Sequence, residues 1–205
     1  PTQAWLESQL PPPMKAPRNL APGAPEDLQA LRLARVNSLA GACIALGLRF
    51  AGSCCQPAAE LLMAQIKELH ARRQSTGPQA EGRKAEHPTI ETCLGATTIA
   101  LSLVMAGSGN LECLRLLRVL RRRVDSDVAY GFHMAIAMAI GLLFLGGGRL
   151  TLGTSSSAIA ALLTAIFPRF PLNPADNRYH LQAFRHLYVL AAEARCIEAV
   201  DVDTG

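Results

Sequence analysis

The chain has 205 residues, of which half are hydrophobic, 18% charged and only 5% aromatic, and its formal net charge is +4. That length suffices for one domain with a sizeable core, which Leu, Ala, Ile and Val must fill, a palette of helix formers. So mild a positive charge does not call for nucleic acid or an anionic membrane as partner.

The chain opens at Pro1 without Met or a charged-then-apolar leader, so a fragment or incomplete gene model without a secretory signal is expected. Residues 1–27 hold seven of the 13 prolines and should form an irregular lead-in pinned by Trp5 and Leu6. A helix is predicted from about Pro25. Three segments then align without gaps: Gly41 to Ser53, Ala96 to Ser108 and Ala135 to Gly147. Their offsets are 55 and 39 residues, the latter within the range of two-helix solenoid units. The longer interval holds an insert, residues 72–88, which is polar, aperiodic and closed by Pro88 and reads as a loop.

Within each unit small residues recur four apart, as Gly41/Ala45, Ala96/Ala100 and Ala135/Ala139, which puts them on one helix face. Together with Gly47 and Gly141 they are expected to let neighbouring helices approach closely, in an inner layer that is apolar nearly all round. Gly52, Gly107 and Gly146 follow as left-handed stops. Asn110 and one of Ser155 to Ser157 are candidate caps for more amphipathic outer helices, at about 57–70, 110–123 and 155–167. Beyond the hairpins of 28–168, the proline-rich run Phe167 to Pro174 breaks helix. Residues 169–205 should then hold a closing helix over about Asn177 to Glu193, carrying Leu181, Phe184, Leu187, Tyr188 and Leu190, and a C-terminal extended segment. The fold class is all-α, an α-solenoid of the toroid type forming an incomplete ring.

The repeated Gly-Ala-x-x-Ala-Leu-Gly-Leu-x-x-Ala-Gly-Ser pattern resembles the proteasome/cyclosome repeat. That repeat occurs in the two large scaffold subunits of the proteasome and in the largest subunit of the anaphase-promoting complex. Tyr130 to Arg149, Ser157 to Leu163 and Asp176 to Thr204 look like the cyclosome subunit, and the similarity runs from about residue 28. The resemblance implies a non-catalytic scaffold in a multi-subunit E3 ubiquitin ligase controlling the metaphase–anaphase transition and mitotic exit. It further implies cullin, Doc-domain and tetratricopeptide subunits and a coactivator as partners, in nucleus and cytoplasm. Cofactors, nucleic acid, membrane and small-molecule substrates have no place in that role. The family's ring contains many more hairpins, so the ends of three should be sticky.

Other readings weigh less. Gly131 to Leu145 suggests a membrane-embedded hairpin, but its 15 residues fall short of the roughly 20 that span a bilayer. A repeat scaffold of the proteasome regulatory particle is the other alternative. The run Gly148-x-x-x-x-Gly153-Thr154-Ser155 lacks the lysine of a phosphate loop and follows a helix. Cys93 and His133, near the starts of inner helices, have no visible orienting carboxylate, so neither they nor the Ser155–Ser157 cluster is assigned catalysis. The six cysteines form no C-x-x-C pair and read as reduced thiols, mostly buried. His180 and His186 lie on different faces of an α-helix, and no metal site is predicted. Arg115, Arg118, Arg121, Arg122 and Arg123 are either a solvated face that complements a helix C-terminus or a docking surface for an acidic partner.

Overall fold

The computed structural model describes residues 2–12, 25–74, 86–124 and 128–195, with backbone alone for Gln3, 25–28 and 177–180. The lead-in contains more structure than its prolines suggest. Thr2 accepts a hydrogen bond from the Trp5 amide and caps a short helix, α1 (Gln3–Ser8). Leu6 is fully buried where α1 packs on α3, and the Trp5 ring meets Phe50 edge-on at 6.3 Å.

Six longer helices follow: α2 (Pro25–Arg49), α3 (Gln56–Gln74), α4 (His87–Val104), α5 (Leu111–Arg121), α6 (Tyr130–Leu143) and α7 (Ser156–Ala165). The inner helices α2, α4 and α6 stack side by side with α4 in the middle, and every residue from Cys93 to Val104 is buried. Each outer helix covers the inner helix of the next unit, α3 on α4 and α5 on α6. A helix apolar all round is thereby enclosed on several sides, as its composition demands. Asn110 and Ser155 cap α5 and α7 with their side chains, as expected.

The insert is shorter than its sequence suggests. Arg72 to Gln74 extend α3, held by an Arg72–Glu68 pair one turn apart and by Arg73 reaching the buried Glu91. Pro88 sits in the first turn of α4, where its missing N–H costs nothing. The central part of the predicted loop, residues 75–85, lies outside the described residues, as does the C-terminal extended segment from residue 196.

The closing element is not an α-helix. Residues Asn177–Ala191 wind as a 3-10 helix, then enter a strand, β2 (Ala192–Ala194), which pairs antiparallel with β1 (Leu150–Leu152). A period of three aligns Gln182, Arg185, Tyr188 and Ala191 on one row facing α7. Arg185 explains the register. Its guanidinium donates to the carbonyls of Ala165, Phe167 and Arg169 at 2.9, 2.5 and 2.9 Å and stacks on the Phe170 ring at 4.4 Å. It thus satisfies the Ala165 carbonyl in the last turn of α7 and ties down the chain just beyond it. The cost is that the large apolar side chains of Phe184 and Leu190 face outward.

Two segments, Gln29–Arg49 and Tyr130–Gly148, are long and apolar enough to cross a membrane by length and composition. The second exceeds the 15-residue run seen in the sequence because the glycines after Leu145 continue it. In the fold, parts of both are covered by neighbouring helices.

Candidate functional site

In a repeat protein the functional surface follows from how one unit meets the next. Gly47 of α2 lies against Ala100 of α4, where an added Cβ would come within 2.8 Å of the Ala100 Cα. Gly95 of α4 faces Ala135 of α6 in the same sense, its Cβ position 3.2 Å from the Ala135 methyl. Ala96, Ala100, Ala135 and Ala139 are buried, and Ala100 and Ala135 meet the preceding unit at these glycines. Gly41 and Ala45 occupy the same repeat positions on α2 and are exposed. Among the described residues Gly41 faces open space, contrary to the expected close approach, because no described helix precedes α2 in the stack. Gly141 on α6 is likewise exposed with open space around it, at the other end.

The glycine turns form a ladder. The amides of Gly52 and Cys54 donate to the carbonyls of Leu103 and Val104, at 2.8 and 3.0 Å. One unit on, Gly107 and Gly109 donate to Leu142 and Leu143 at 3.0 and 2.9 Å. Donors shift by 55 residues and acceptors by 39, the two repeat offsets read from the sequence. Gly52 and Gly107 have φ of +68° and +69°, and an added Cβ would collide with the β1 backbone lying across them. Gly146 is also left-handed, at +58°, but leads through Gly147 and Gly148 into β1 rather than directly into the outer helix. Gly153 then supplies the next rung, donating to Ala191 at 2.8 Å. The Thr151 hydroxyl donates to the Gly52 carbonyl, and Arg195 donates to the Ala106 carbonyl and the Cys54 sulfur. Strand and tail clasp the turns of two units.

The five arginines divide. Arg115, Arg118, Arg121 and Arg122 are exposed. Arg123 turns inward, 2.9 Å from Glu91, with its guanidinium 5.2 Å from the centre of the Phe132 ring. Glu91 also holds Arg73 at 3.1 Å, and all three side chains are at most 8% exposed. This ion cluster ties α3, α4 and the end of α5 together, and Arg123 is structural rather than part of a docking face. A lone acid in the apolar run His87 to Val104 was the signal for it. Nearby His70 is held below its ordinary pKa, first by burial and then by the Arg123 cation.

The cysteines and serines weighed as nucleophiles in the sequence sit in structural surroundings. The Cys93 thiol faces Asn37 of α2 at 3.6 Å, and burial pushes it up to about 11. Burial likewise raises Cys43 to about 12 and Cys113 to about 11. Thiols so raised are almost entirely protonated at neutral pH and poor nucleophiles. Leu150 to Leu152, within the phosphate-loop lookalike, is a strand, and the Ser155 hydroxyl accepts from the Ala158 amide as a helix cap. The His180 side chain lies outside the described residues, and no group of three metal-ligating side chains occurs among those described. A cleft of about 670 Å³ opens between the starts of α4 and α6 and residues 168–172. Its walls are mainly Phe132, Phe170, Pro168 and Pro171, and its acid, Glu91, is already paired.

Residues 1–193 match the family described as the APC1 fifth domain. The chain belongs to that family. It is 49% identical over 186 residues to anaphase-promoting complex subunit 1 of Homo sapiens, covering 87% of this chain and 9% of that protein. Identity to the Dictyostelium discoideum subunit is 48% over 186 residues, covering 87% of this chain and 8% of the relative. To the Arabidopsis thaliana subunit it is 46% over 219 residues, 100% of this chain and 13% of the relative. A protein named negative regulator of mitosis in Emericella nidulans is 47% identical over 168 residues, 82% of this chain and 8% of its own length. The chain therefore spans about a tenth of the length of these anaphase-promoting complex relatives. The resemblance seen in the repeat signature and the last third of the sequence holds at the level of the family.

Proposed function

We propose that the chain is a non-catalytic scaffold segment of the anaphase-promoting complex, the multi-subunit E3 ubiquitin ligase that controls the metaphase–anaphase transition and mitotic exit. One observation carries this reading: the turn ladder and the Gly/Ala contacts join units in register, and the same positions stand open on α2 and α6. Further units of a three-hairpin solenoid fit those open faces, and a solenoid offers long continuous surfaces to partners. The partners in this reading are the cullin, Doc-domain and tetratricopeptide subunits and a coactivator, met in nucleus and cytoplasm, without cofactor or small substrate. Affinity capture of the full-length protein from nuclear and cytoplasmic fractions should recover those subunits. Recovery of proteasome base subunits in their place would overturn the proposal.

A second reading, a membrane-embedded hairpin protein, draws on the two membrane-length segments. Carbonate extraction separates the two: the scaffold goes to the supernatant, whereas an integral protein stays in the pellet.

A further inference from the structure

We propose that the outer face of α5 is the docking site for an acidic, amphipathic three-turn helix of another polypeptide. At 3.6 residues per turn, Leu111, Arg115, Arg118 and Arg122 fall within about 60° of one another, a single stripe roughly 16 Å long. Val119 flanks it on one side and Arg121 on the other. All six are exposed, Leu111 by 63% and Val119 by 53%. The four arginines make no ion pair with the described residues, whereas Arg123, next in sequence, is taken up by Glu91.

A merely solvated face does not account for this arrangement. Arg115/Arg118, Arg118/Arg121 and Arg118/Arg122 are like charges three or four apart on one helix, which destabilise it. The negative end of the helix dipole relieves Arg118 to Arg122, and Glu112, three residues before it, partly relieves Arg115, but neither engages the guanidinium forks in pairs. Nor does it explain an exposed leucine at the head of the stripe and a valine beside its middle. Guanidinium forks bind carboxylates in bidentate pairs, and carboxylates spaced three, four and seven apart on a facing helix match their positions. Apolar residues on that helix would cover Leu111 and Val119, excluding water from the pairs and strengthening them. A nucleic-acid backbone satisfies the arginines alone: it has no use for Leu111 and Val119, and no aromatic side chain is interleaved for stacking.

This rests on the assembly reading only for where such a partner is met, and the test is independent of capture from cells. The full chain is titrated with a three-turn helical peptide bearing glutamates on one stripe and leucines at its edges. The controls are the same peptide with lysine for glutamate and a duplex DNA of similar length. Fluorescence anisotropy should show saturable binding of the acidic peptide, weaker by about tenfold or more between 0.05 and 0.2 M salt. The pair Arg118→Glu and Arg122→Glu should abolish that binding and admit the lysine peptide. Leu111→Ser with Val119→Ser should weaken the acidic peptide but not DNA. If the charge reversal fails to keep its helical circular dichroism, Arg115→Ala, at an exposed mid-helix site, serves instead. The proposal is overturned if the acidic peptide does not bind, binds equally to the reversed face, or is outcompeted by DNA irrespective of Leu111 and Val119. Failure of the peptide would leave subunit capture untouched, and failure of capture would leave the peptide result untouched.

Discussion

Two glycines on α2, Gly41 and Gly47, carry the same repeat signature and have opposite physical roles. Gly47 lies in a helix–helix contact too tight for a Cβ, while Gly41 faces open space. Gly47→Val should therefore cost about 1–3 kcal/mol by overpacking, read as a lower urea midpoint. Gly41→Ala and Gly141→Ala in this chain should instead leave stability unchanged or raise it by up to about 1 kcal/mol, because alanine is the better helix former. Glu91 makes a sharper case. Glu91→Gln removes the buried carboxylate charge that both Arg73 and Arg123 hold, and the expected loss is about 3–5 kcal/mol. His70 adds a pH dependence. Its pKa is lower in the folded chain than the ordinary 6.5, so the unfolded chain binds protons first and stability falls as pH drops below that value. Thermal melts between pH 8 and 5 should show this decline, and His70→Leu should flatten it.

Among whole elements, those with a strong local code were legible. The span of α2 to α7, the Asn110 and Ser155 caps and the left-handed glycines follow from periodicity and from residues with local hydrogen-bonding options. Asn110 accepts from the amides of both Glu112 and Cys113, so Asn110→Ala should cost about 1 kcal/mol, measured by denaturant titration. The closing 3-10 helix was not legible. Its apolar residues suit an α-helix, but Arg185 gains three carbonyl acceptors and an aromatic ring only in the tighter winding. Propensity is a weak prior when one long side chain collects that many partners. The strand pair was missed for a related reason, since Leu150 to Leu152 has no partner until the chain returns at Ala192.

On the scale of the molecule, burial sets the chemistry of the thiols. With Cys43 and Cys93 held in the stack and Cys113 on the buried face of α5, a maleimide reagent at neutral pH should leave all three unmodified until denaturant is added, as mass spectrometry would show. The same burial that raises these thiols places Glu91 between two cations, so the buried polar groups of the stack serve its packing. The sequence by itself determined the repeat, its two offsets, the inner and outer layers and the family, because each is written in residue spacing and local conformational preference. Only the tertiary structure decided which small residues are contacts and which are open ends. A spacing of four defines a face but not what lies opposite it. The same holds for the arginines of α5. Composition marked all five as one patch, and the position of Glu91, more than thirty residues earlier in the chain, turned Arg123 inward and left the other four to solvent.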